Sequence, residues 1–146
     1  MANVVPYAFP VELLSGTHNF ASDTFKLALY TSSPYTTAST VYDATNETTG
    51  TEYSAGGNTL TGNAVSNVAN YATVDFTDSV WGSPTPATFS AAFGAIYNSS
   101  ATNKLIVVLD FGGTKSCSNG TFTVTFPSPT SGSPSGADAL LSIKSN

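Results

Sequence analysis

From Thr24 onward, apolar and polar residues alternate with a period of two, the spacing of a strand that rests one face on a core. Phe25, Leu27 and Leu29 alternate with Lys26, Ala28 and Tyr30, which predicts a half-buried strand. Ala72, Val74 and Phe76 alternate with Thr73 and Asp75, and Ser90 to Tyr97 carries Ala91, Phe93, Ala95 and Tyr97 on one side. Thr121 to Phe126 repeats the pattern, with Phe122, Val124 and Phe126 facing one way. Leu105 to Phe111 is instead a continuous apolar run rich in β-branched residues, as in a strand covered on both faces. Leu141 and Ile143 predict a closing strand, and Leu60 to Val68 a weaker one. Only the start reads as helix. There Pro10 suits the first helical position, Val11, Leu13 and Leu14 supply an apolar side, and Gly16 suits the stop.

Turn chemistry divides the strands. Asn119-Gly120 predicts a type I′ hairpin, and Gly56-Gly57 and Gly112-Gly113 mark breaks. Two prolines keep Ser83-Pro84-Thr85-Pro86 out of any central strand. Short strands separated by such signals predict an all-β fold, an antiparallel, jelly-roll-like β-sandwich of about eight strands with one short N-terminal helix. Residues 1–146 read as one domain, with an arm and short helix over 1–20. A long Thr-rich contact loop is expected over 32–58 and a Ser/Pro/Gly-rich surface loop over 127–138.

Composition narrows the function. The chain has no Arg, one His, one Cys and one Trp, while Ser and Thr make up 42 of its 146 residues. Four Lys against nine acids leave a net charge of −5. Nucleic-acid binding draws its affinity from Lys and Arg on phosphates, so no nucleic acid is expected as a partner. No apolar run approaches the ~20 residues that span a bilayer, so no membrane partner is expected. The N-terminus has no basic stretch followed by an apolar one, which points to use from the cytoplasm. Cys117 has no intrachain mate and reads as a passive thiol.

Candidate chemistry is sparse. His18 could serve as a base, yet Thr17-His18-Asn19-Phe20 offers no nucleophile or orienting carboxylate and reads as a loop histidine. Asp43, Glu47, Glu52, Asp75 and Asp78 lack the close spacing of a calcium loop. No catalytic residue, metal ligand or cofactor is therefore expected. Tyrosine and tryptophan give large contact area at low entropic cost, so Trp81 and the tyrosines are the best case for a binding surface. Tyr97 is expected in the core, whereas Tyr35, Tyr42 and Tyr53 are expected at the surface because they lie in the long loop. With Tyr7 and Phe9 of the arm and Trp81, they form the candidate partner-binding set. Trp81 and Tyr53 are also the first suspects for a carbohydrate platform.

The order of motifs adds a resemblance. VELLSG (11–16), SDTFKLALYT (22–31), NETTGTEYSAGG (46–57) and LTG (60–62) are followed by FTDSVW (76–81), AAFGAIY (91–97) and LIVVLDFGG (105–113). This succession resembles a family of small virion structural proteins of tailed bacteriophages, described as decoration, cement, neck or tail-fibre components. The likeness covers residues 9 to 126, with 127–138 as an insertion near the family's usual end. It implies a non-enzymatic virion protein, assembled in the host cytoplasm and bound in multiple copies to the major capsid protein or other virion proteins. A cement or decoration subunit is the first expectation. A tail, neck or fibre component, or a carbohydrate-binding host-recognition module, is the alternative. Residues 2–16 and 32–58 are expected to supply the docking surface.

Overall fold

The strand Phe25–Tyr30 (β1) organises the molecule because both of its faces are apolar enough to be covered. In the computed structural model, which describes residues 3–68, 70–127 and 140–144, the elements in chain order begin with the helix Ala8–Leu14 (α1) and β1. Asn58–Thr59 (β2), Ala64–Val68 (β3), Tyr71–Asp75 (β4) and Ser79–Trp81 (β5) follow. Ala87–Asn98 (β6), Lys104–Gly120 (β7), Phe122–Val124 (β8) and Leu141–Lys144 (β9) complete the fold. All the pairings are antiparallel, in sheets ordered β2-β1-β6-β7, β3-β4-β9 and β5-β8. The fold is an all-β sandwich with one short helix.

Side-chain alternation then sorts the core into two. Phe25, Leu27 and Leu29 of β1 join Phe9, Phe20, Val74, Phe76, Trp81, Phe89 and Phe122 between the four-stranded sheet and the two smaller ones. Ala28 and Tyr30, on the opposite face, join Tyr35, Ala95, Tyr97, Leu105 and Val108, with Val4, Tyr42 and Phe93 packed alongside. The long excursion and the arm therefore form a lid over the second face. This corrects the expectation of a half-buried β1.

Two turn expectations fare differently. Gly16 ends α1 at φ +76, with its N–H on the Leu13 carbonyl and the Thr17 N–H on the Glu12 carbonyl, a Schellman motif. The helix itself begins two residues before Pro10. The Asn119-Gly120 hairpin does not form. Asn119, at φ 49, instead sits in a β-bulge where Gly120 pairs with Ala87 and Cys117 with Phe89. The chain then leaves the sheet, and β8 pairs with β5. Gly112-Gly113 likewise does not end a strand, because it is absorbed in a second irregularity of β7 between Asp110 and Lys115. Most of the 127–138 loop, from Ser128 on, lies outside the described residues.

The edges of the four-stranded sheet are closed by the chain's own segments. Val4 exchanges both backbone hydrogen bonds with Val108, at 2.9 and 2.8 Å, and Val41 bridges to Lys104, so arm and excursion cover the first half of β7. Along β1, the Leu29 carbonyl accepts from the Thr48 N–H and the Leu29 N–H donates to the Tyr53 hydroxyl. Thr51 pairs with Thr88 where β6 outruns β1. An uncovered edge invites another chain, and these segments remove that invitation.

Candidate interaction surface

Residues 32–58 are pinned down by tyrosine hydroxyls. The Glu47 carboxylate accepts from the Tyr42 hydroxyl, from the Tyr53 hydroxyl at 2.6 Å and from the Gly56 N–H at 2.7 Å. Tyr97 donates to the Gly56 carbonyl, and its ring lies 4.7 Å from that of Tyr42. A second knot closes around Asp43: its N–H donates to Tyr35, its carbonyl accepts from Tyr30, and the two hydroxyls lie 2.7 Å apart. Buried phenols with partners are satisfied polar groups, and here they hold a lid in place.

The expectation that Tyr35, Tyr42 and Tyr53 are surface-exposed is thus overturned. Tyr35 is buried, Tyr42 and Tyr53 are half-buried, and all three spend their hydroxyls inside the molecule. Trp81 is 3% exposed, enclosed by Tyr53, Phe89 and Phe122, which removes it as a sugar platform. Phe9 is buried too, against Phe20 and His18. Tyr97 is in the core as expected. Of the candidate set, only Tyr7 is open to solvent, at 75%.

The same burial raises five phenols. Burial, then the bond to Tyr35, lifts Tyr30 far above the ordinary range, and burial lifts Tyr35. Burial and then Glu47 lift Tyr42 and Tyr53, and Tyr97 is pushed up to about 12. A phenol with a raised folded pKa favours the folded state in full below its unfolded value of about 10 and loses that contribution as pH climbs through the folded one. Urea midpoints should therefore fall from about pH 10 upward, with phenolate absorbance from these tyrosines appearing only as the protein unfolds. Ionisation of these five tyrosines near pH 10 in a still-folded protein would contradict this arrangement.

His18 lies in the loop between α1 and β1, as expected, but is buried there. Asn98, whose carbonyl oxygen is held by the N–H groups of Ser100 and Ala101, turns its amide nitrogen toward His18 Nδ1 at 3.1 Å and Asp23 Oδ2 at 2.7 Å. The imidazole proton then sits on Nε2 and donates to Glu12, 3.2 Å away. Lys104 Nζ reaches the other Glu12 oxygen at 2.7 Å. Burial opposes the Glu12 charge, yet the bonds from Lys104 and His18 outweigh it and hold the carboxyl below its ordinary range. Among the described residues His18 hydrogen-bonds Glu12 and Asn98, so the cluster ties α1 to the β6–β7 turn. Among the described residues, no three His, Cys, Asp or Glu side chains are grouped to hold a metal.

With its inner face fixed by Phe9, Leu13 and Glu12, α1 presents Tyr7, Val11 and Leu14 outward, the last two 68% and 89% exposed. Positions i, i+4 and i+7 make one helical stripe. Val11 and Leu14 are the residues that sequence reasoning misplaced, because it put them on the packed side. The signal was present: apolar residues at 9 and 13 and again at 7, 11 and 14 give a seven-residue helix two apolar faces. Comparisons with protein-family models, curated proteins and solved structures return no match.

Proposed function

We propose that this chain is a non-enzymatic structural protein of a tailed-bacteriophage virion, a cement or decoration subunit held in multiple copies on the major capsid shell by the outer face of α1. The observation that carries the reading is the bare stripe of Tyr7, Val11 and Leu14 on a helix whose other side is locked by aromatic packing and an ion pair. Water-exposed apolar side chains on a fixed element mark a contact surface. An uncharged stripe also lets an acidic protein meet a neighbour without charge repulsion. The order of motifs supplies the virion context. Many identical weak contacts then add by avidity on a lattice.

The test is incorporation. Val11→Asp with Leu14→Asp removes two exposed apolar side chains and should leave thermal stability unchanged while weakening attachment to shells by about a hundredfold or more. Unchanged incorporation would overturn the docking role of α1. Copy number locates the protein: the scale of the shell lattice supports a cement subunit, whereas that of a single ring would move it to tail or neck.

A further inference from the structure

We infer that β3 is a self-pairing edge, which joins the β3 strand of a second copy antiparallel about a two-fold axis at Ser66 to make a six-stranded sheet β9-β4-β3-β3-β4-β9. The inference starts from how the other edges are treated. β7 is covered by Val4 and Val41 along its first half and interrupted by irregularities and Lys115 along its second. β1 is closed by Thr48 and Tyr53, and the outer carbonyl of Val80 on β5 is taken by the Asn58 amide. β2 has two residues, β5 and β8 have three each, and β9 carries Lys144. Short length, lysine, bulges and covering segments are the devices that blunt an edge.

Among the described residues, β3 has none of them. Ala64-Val65-Ser66-Asn67-Val68 holds no charge, proline or glycine, and it pairs with β4 in unbroken register from Ala64↔Asp75 to Val68↔Tyr71. Four of its five residues are exposed, and no further strand runs along its outer side among the described residues. On one face Val65 is 57% exposed, and Ile143, on the same face of β9 but one row along, is 55% exposed. Both line an apolar cleft of about 460 Å³ with Leu13, Phe20, Val74 and Leu141.

Symmetry and charge favour a second copy over another partner. A two-fold at Ser66 is the register that pairs all five residues: Ala64 opposite Val68, Val65 opposite Asn67, Ser66 opposite itself. Apolar residues then meet on one face, and the two Val65 side chains become diagonal neighbours on the other. Among the described residues of this sheet the acids are Asp75 of each copy, which fall at opposite corners of the joined sheet, about 20 Å apart by strand spacing and rise. That exceeds the screening length, so two chains of net charge −5 can join here without acid facing acid.

Sedimentation of the full chain tests this without reference to any particle. The wild type should shift from monomer to dimer between about 10 μM and about 1 mM. Asn67→Lys, at an exposed position, should raise the dissociation constant at least about tenfold with an unchanged circular dichroism spectrum. In a Cys117→Ser background, Ser66→Cys should oxidise to a dimer linked through position 66 of both copies. A wild type that stays monomeric across that range would overturn the inference. So would a dimer that Asn67→Lys leaves intact, or one that Ser66→Cys does not trap.

Discussion

Gly57→Ala is expected to leave little folded protein. Gly57 stands at φ +71, and a Cβ there would lie 1.8 Å from the Leu27 carbonyl oxygen, 2.5 Å from its carbon and 2.6 Å from the Ala28 Cα. Those atoms belong to β1, which is paired to β6 over its whole length and covered on both faces, so the obstacle is backbone that cannot step aside. The expected loss is at least about 4 kcal/mol, a large share of the 5–15 kcal/mol that holds a typical domain together. Gly16→Ala is the internal control. Its φ of +76 carries the same backbone penalty, yet nothing lies within 4 Å of the added carbon, so about 1–2 kcal/mol is expected. Urea denaturation of both variants measures the difference. Equal losses would mean that residues 32–58 are not seated on β1.

Glu47→Ala should produce the second-largest effect. It strands the hydroxyls of Tyr42 and Tyr53 and the Gly56 N–H together, and Tyr53 in turn serves the Leu29 N–H. Glu47 is half-buried and water reaches part of the site, so the expected loss is about 2–4 kcal/mol. Glu47→Gln keeps the shape and one acceptor oxygen and should lose about half as much. Hydrogen exchange reports on the mechanism: the Gly56 and Leu29 amides should quicken in Glu47→Ala while the Ile96 amide in β6 keeps its protection. A loss within about 0.5 kcal/mol of wild type would show that the tyrosine knot does not hold the lid.

These two positions also show what was legible in the chain. Strands β1, β4 and β6 follow from the period-two pattern and the first half of β7 from its continuous apolar run, because both are local properties of the chain. The helix stop at Gly16 is local as well. The orientation of Tyr35, Tyr42 and Tyr53 is not, since a phenol goes inward only if the loop folds back onto β1 and turns an acceptor such as Glu47 or the Asp43 carbonyl to meet it. Loop membership therefore misplaced them. Trp81 was misplaced for a related reason: its strand β5 is three residues long, too short for a periodic signal. Asn119-Gly120 promised a hairpin, but the bulge satisfies the same left-handed backbone while the chain changes sheets. The docking stripe was half legible. The apolar positions of α1 were visible, and which of them faced inward depended on Phe20, His18 and Lys104.

What unites these features is a sheet scaffold that closes most of its edges with its own loops and turns one helical stripe outward to a neighbour. A reconstruction of intact particles at side-chain resolution tests that picture most directly. It should show this chain repeated over the capsid shell, with Tyr7, Val11 and Leu14 seated on the shell subunit and residues 32–58 folded back on their own sheet. Particles that lack the protein, or that carry it with α1 facing solvent, would contradict the account.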